Sequence, residues 1–101
     1  MKYKKDGVTV EAFKWTGGRD QTEDPEWIVE ALKMPETRIG VARIYSGGES
    51  GLFMEIKTKE GIIRVKPGEY IIRYEDGTLT SSKADRFEAN YEEVKEDEKE
   101  V

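Results

Sequence analysis

The stretch Val65-Lys66-Pro67-Gly68-Glu69-Tyr70-Ile71-Ile72 constrains the fold most, because a rigid corner there separates two runs of β-forming residues. Pro67 presets φ near −65° at the second turn position, and Gly68 accepts the positive φ that a type II turn requires at the third. Beyond the corner, Tyr70, Ile72 and Tyr74 alternate with Ile71 and Arg73, the two-residue period of a strand. Before it, Leu52, Met54, Ile56 and Thr58 alternate with Phe53, Glu55 and Lys57 in the same way. Lys59-Glu60-Gly61 reads as a hairpin connection and Asp76-Gly77 as a two-residue hairpin turn. Thr78 to Ser81 then suits a short polar strand at a sheet edge. The corner and the hairpins favour antiparallel neighbours, and they imply one strongly bent sheet.

The remaining segments read as packing for that sheet. Val8 to Trp15 is a strand with Val10 and Ala12 on one face and Phe13 and Trp15 on the other, which requires either a bulge at Ala12-Phe13 or cover on both faces. Gly17 and Gly18 end it. Asp24 suits a helix N-cap, Pro25 the first helical position, and Pro35 the stop. Between them Trp27, Ile28, Ala31 and Leu32 share a face, so residues 25–34 form an amphipathic helix with Trp27 as a core residue. Residues 38–46 carry an imperfect strand alternation. The loop Ser46-Gly47-Gly48-Glu49-Ser50-Gly51 lacks the Lys-Ser/Thr and the following helix of a phosphate-binding loop, and it reads as a hairpin connection. Ser82 and Asp85 resemble a capping box for a helical turn at 83–89, and Tyr91 to Val94 suits a last strand. The expectation is a single α+β domain over residues 1–94 with about six strands, one helix at 25–34 and a short helical turn near 83–89. Residues 95–101 read as a frayed, dispensable tail.

Composition narrows the chemistry. The 101 residues include neither Cys nor His, which removes disulfides, thiolate catalysis and the commonest general base and transition-metal ligand. Net charge is −5, but residues 92–101 hold six acids and two lysines, leaving 16 acids against 15 bases elsewhere. A body so near neutrality, with no basic stripe, disfavours nonspecific nucleic-acid binding. No apolar run is long enough for a signal peptide or a membrane span, so a cytoplasmic, soluble protein is expected. Asn90 and Gln21 are the only side-chain amides, a usage that leans toward a thermophilic source or a designed surface.

Four blocks occur in a distinctive order. They are Lys2-Tyr3-Lys4-Lys5, the Val8-to-Gly17 strand, the Lys66-Pro67-Gly68-Glu69-Tyr70-Ile71-Ile72 corner, and the segment from Lys83 to Glu92. Their order resembles that of a family of small bacteriophage and prophage proteins named for a Pro-Gly-Asp-Tyr corner. The resemblance spans roughly residues 2–94. Glu69 stands where the family has Asp, Ala84 where a Pro is common, and Thr80-Ser81-Ser82 where Tyr-Pro-Cys is frequent. The resemblance implies a viral setting, and thus a host-cell cytoplasm, and it brings no catalytic residues, cofactor or metal.

Without His or Cys, the side chains best able to hold a partner are aromatic and cationic. Trp15, Tyr70, Arg73 and Lys83 form the candidate ligand-binding set, suited to an anionic or flat group near the strand end and the corner. A carboxylate pair, Asp85 with Glu88 or Glu69, is the alternative for acid–base work or a hard cation, although Asp85 is more simply a capping residue. The favoured function is a binding module for a host protein or a small anionic ligand. The alternative is a small hydrolase using carboxylates and a divalent metal. Oligomeric state stays open, a homodimer included.

Overall fold

The computed structural model describes residues 2–17, 25–47 and 51–94. In chain order the elements are β1 (Lys2–Lys5), β2 (Val8–Lys14), α1 (Glu26–Lys33), β3 (Ala42–Ser46), β4 (Leu52–Thr58), β5 (Gly61–Val65), β6 (Tyr70–Arg73), β7 (Leu79–Ser82), α2 (Ala84–Asn90) and β8 (Glu92–Glu93). The α+β class and the antiparallel pairing hold. Among the described residues the expected single bent sheet of about six strands becomes two sheets with eight strands. One has the order β7-β6-β2-β1-β8 and the other β3-β4-β5.

The division falls at the Pro-Gly corner. β5 pairs with β4 and β6 pairs with β2, so the strands flanking the corner belong to different sheets. Glu69 N–H donates to the Lys66 carbonyl at 3.1 Å, and Gly68 has φ of 95°, which together define the expected type II turn. The turn does more than reverse the chain. Gly68 N–H donates to the Trp15 carbonyl at 2.7 Å, and Trp15 N–H donates to the Glu69 carbonyl at 2.9 Å. Two residues thus face one, a glycine bulge that locks the corner onto the end of β2 and launches β6. The same device starts β3. Val41 N–H donates to the Arg38 carbonyl at 3.3 Å across a turn with Gly40 at φ 99°, Gly40 N–H to the Lys57 carbonyl at 2.7 Å, and Lys57 N–H to the Val41 carbonyl at 3.0 Å. The strand expected over 38–46 is accordingly a turn, a bulge and a shorter β3.

β2 settles its own ambiguity. Glu11 to Lys14 pair residue for residue with Arg73 to Tyr70, so no bulge interrupts Ala12-Phe13 and both faces are covered. Val10, Ala12, Tyr70 and Ile72 pack under Phe87 of α2 on one face. On the other, Phe13, Trp15 and Ile71 pack against Met54, Ile56 and Val65 of the second sheet and Ile28 and Ala31 of α1. Each such side chain taken fully out of water contributes about 1.5–3 kcal/mol, so the large sheet is held from both sides.

Local signals are met unevenly. β1 was not anticipated: Asp6-Gly7, with φ of 52° and 81°, makes the two-residue turn that pairs Lys5 with Val8. At Asp76-Gly77 the loop has three residues instead. Gly77 N–H donates to the Tyr74 carbonyl and Tyr74 N–H to the Thr78 carbonyl, both at 2.9 Å, a further glycine bulge. Pro25 occupies the N-cap of α1 in place of the first helical position, and no side-chain cap is present; Asp24 lies outside the described residues. Met34 ends α1 in an extended conformation imposed by Pro35. The capping box at Ser82 is not formed either. Lys83 is the N-cap, Ser82 Oγ donates to the Lys83 carbonyl at 3.3 Å, and Asp85 Oδ1 accepts the Arg86 N–H at 2.8 Å. β7 is a sheet edge, as its polar sequence suggests, and β8 pairs with β1. The charged tail at 95–101 lies outside the described residues.

Candidate functional site

The residues expected to form a site are distributed over the large sheet. Trp15 and Tyr70 point to opposite faces of it, both less than one-tenth exposed, the first into the cluster with α1 and the second under α2. Arg73 lies across the strand pair from Glu11, with an Nη1–Oε1 distance of 3.4 Å. Lys83 is the exposed N-cap of α2. The strand alternation that buries Ile71 and Ile72 on two faces also keeps these four from one surface. What the structure does bring together is Trp15 and the corner, through the main-chain bulge at Gly68.

Tyr70 is committed to the interior. Its ring stacks on Phe87 at 4.1 Å between centroids, Phe87 stacks on Tyr91 at 4.5 Å, and Tyr3 meets Phe87 edge-on at 4.8 Å. Burial, and then a 2.9 Å hydrogen bond donated to Glu88 Oε2, push its phenol well above the ordinary value of 10.0. That hydroxyl stays protonated and neutral. The carboxylates of the alternative reading are also occupied: Glu88 accepts from Tyr70, Glu69 Oε1 accepts the Lys66 N–H at 2.9 Å, and Asp85 accepts from Arg86. Among the described residues no three acidic side chains are grouped so as to hold a metal ion.

A different surface has the chemistry of recognition. The strand period of the small sheet sends Ala42, Met54, Ile56 and Val65 inward, so Arg43, Tyr45, Phe53, Glu55, Ile62 and Arg64 point outward. Tyr45 and Phe53 are cross-strand partners, stacked at 5.6 Å with 28° between planes. Arg64 lies over the Phe53 ring, 4.3 Å from its centroid, and its Nη2 approaches Glu55 Oε2 at 3.2 Å. Both interactions hold the guanidinium close to the sheet. Tyr45 remains 44% exposed and Ile62 65%, so apolar side chains face solvent among the charges of this surface.

Arg43 has another task. Its Nη1 donates to the carbonyls of Ala42 at 2.8 Å and Leu32 at 3.0 Å, and its Nη2 to Met34 at 2.6 Å. It satisfies carbonyls at the end of α1 and ties that helix to β3, with Glu36 3.9 Å from its Nε. Lys57 is the remaining cation, on the wall of a shallow pocket of about 220 Å³ that also includes Glu36, Tyr45 and Ile62. The signal for this face was present in the sequence. Tyr45 and Phe53 occupy strand positions of the same parity as Arg43, Glu55 and Lys57, and an aromatic residue on a charged face buries nothing inside the monomer.

No family model matches the chain, and comparison with curated proteins and with solved structures found no match. No helix among the described residues is long and apolar enough to cross a membrane.

Proposed function

We propose that this chain is a binding module of phage or prophage origin that engages a host protein in the host cytoplasm through the outer face of β3-β4-β5, without covalent chemistry. The observation that carries the reading is the Tyr45–Phe53–Arg64 stack, two aromatic rings and a guanidinium in mutual contact on the face turned away from the core. Tyr and Arg are the side chains that most often dominate protein interfaces, and rings already packed together lose less entropy on binding. The shallow pocket on this face supports a protein as the partner there. At about 220 Å³ it is smaller than the roughly 300–1,000 Å³ of a small-molecule site, which favours a protein partner over a small anionic ligand at Lys57. The carboxylates among the described residues are not grouped as the hydrolase alternative requires.

The test is capture of a host protein by the wild-type chain, followed by titration of that protein with Tyr45→Ala and Phe53→Ala. Loss of an aromatic anchor of about 2–4 kcal/mol weakens binding by roughly 30-fold or more. A partner that binds both folded variants as tightly as the wild type removes this face from the function.

A further inference from the structure

The two sheets present four edges among the described residues, β7, β8, β3 and β5. Three of them are blunted. β8 is only Glu92 and Glu93, whose like charges repel a second copy. β7 is a short polar strand whose one large apolar side chain, Leu79, is buried. β3 is entered through the Gly40 bulge and lies beside α1, held there by Arg43. β5 has none of these protections. Its sequence Gly61-Ile62-Ile63-Arg64-Val65 contains no proline or bulge, and Ile62 is the most exposed large apolar residue described, at 65%. Its single charge, Arg64, is neutralised by Glu55 of its own chain at 3.2 Å.

The direction of the free main-chain groups follows from the register. Thr58 and Gly61 close a two-residue turn, so they form a hydrogen-bonded pair, and the alternation of an antiparallel ladder makes Ile56–Ile63 and Met54–Val65 the next ones. The N–H and C=O groups of Ile62 and Arg64 therefore point away from β4. Neither residue makes a further main-chain hydrogen bond among the described residues.

We propose that β5 pairs antiparallel with β5 of a second copy about a two-fold axis at Ile63, joining two three-stranded sheets into one of six strands. Ile62 and Arg64 of each copy then exchange main-chain hydrogen bonds with Arg64 and Ile62 of the other, four bonds in all. Ile63 meets its own counterpart on the inner face, and Ile62 lies under the aliphatic stem of Arg64 from the second copy. A two-residue slip in one direction sets Arg64 against Arg64, a like-charge pair. A slip in the other direction runs into the Lys59-Glu60 turn and shortens the pairing. The symmetric register is the one that uses the whole strand. It also places two Tyr45–Phe53–Arg64 patches on one continuous surface, although the dimer does not depend on what that surface binds.

Sedimentation equilibrium over a wide concentration range tests this on the full chain. The wild type is expected to pass from 11.6 kDa to twice that mass as concentration rises, because an interface built on one strand edge is of the weak class. Ile62→Lys sets like charges opposite one another and should leave only monomer, while Ile62→Lys combined with Arg64→Glu should restore the dimer. Arg64→Pro removes an outward N–H without touching the β4 ladder, so it should dissociate the dimer with the fold intact by circular dichroism. A wild type that is monomeric throughout overturns the proposal and leaves the edge open to a foreign strand. So does a dimer that persists in Ile62→Lys or Arg64→Pro. Tyr45→Ala and Phe53→Ala lie off β5; they remove host-protein binding and leave dimerisation unchanged, which separates the two proposals.

Discussion

Gly68 offers the cleanest quantitative check on the corner. Its φ is 95°, yet a Cβ built there meets nothing within 4 Å, so a substitution adds backbone strain and no clash. Holding an L-residue left-handed costs about 1–2 kcal/mol, and a φ this far past the left-handed optimum near +57° places the cost toward the upper end. Replacing glycine also narrows the unfolded ensemble, which offsets about 0.4–1 kcal/mol. Gly68→Ala should therefore destabilise by about 1 kcal/mol net. Gly68→Asn should cost less, since Asn tolerates this region. Gly68→Val should cost about 2–3 kcal/mol, because a β-branched side chain is a genuine outlier there. At about 4–8 °C per kcal/mol for a domain of this size, the order Asn, Ala, Val should appear as a graded fall in Tm. Differential scanning calorimetry resolves such steps. Three variants melting together, or Val melting above Asn, would show that the positive φ is not what the corner requires.

Two further outcomes follow from the same geometry. Gly17→Ala should destabilise more than Gly68→Ala, since at φ 74° the new Cβ also lies 3.2 Å from Pro67 Cγ; urea denaturation compares the two. Alkaline unfolding should report Tyr70, whose raised folded pKa means its contribution is complete below about pH 10 and is lost as pH rises from there toward the folded value. Tyr70→Phe should remove that part of the alkaline slope in a stability–pH profile, and a slope unchanged by the substitution would assign it elsewhere.

The signals legible in the sequence were local ones. Pro67-Gly68 specified its turn type, Pro35 its helix stop, and the apolar face of α1 its burial, because each depends on neighbours within a few residues. Long-range choices were not legible. A type II turn followed by a bulge starts β6 just as it starts β3, and nothing within residues 65–70 says whether the partner is the preceding strand or a distant one. Trp15, far away in sequence, supplies that answer through its main chain rather than its side chain. Asp6-Gly7 turned the chain as Asp-Gly pairs do, but the flanking Lys4-Lys5 lacks the apolar alternation that marks a strand. The candidate face is hard to read from the sequence for a related reason. Trp15 and Tyr70 stand out in the sequence as aromatics, but parity is the useful distinction, since both point into the core and Tyr45 and Phe53 point out of it.

The handover between sheets at the Pro-Gly corner determines which faces are buried and which are free, and cross-strand Hα–Hα nuclear Overhauser effects measure it directly. The expected contacts link β2 with β6, in the neighbourhood of Lys14–Tyr70 and Ala12–Ile72, and β4 with β5, near Lys57–Ile62 and Glu55–Arg64. No Hα–Hα contact should join residues 61–65 to residues 70–73, whose strands lie in different sheets. A ladder of such contacts across the corner would make β5 and β6 a hairpin in one bent sheet, and it would contradict the two-sheet arrangement on which the free face and the open edge both depend.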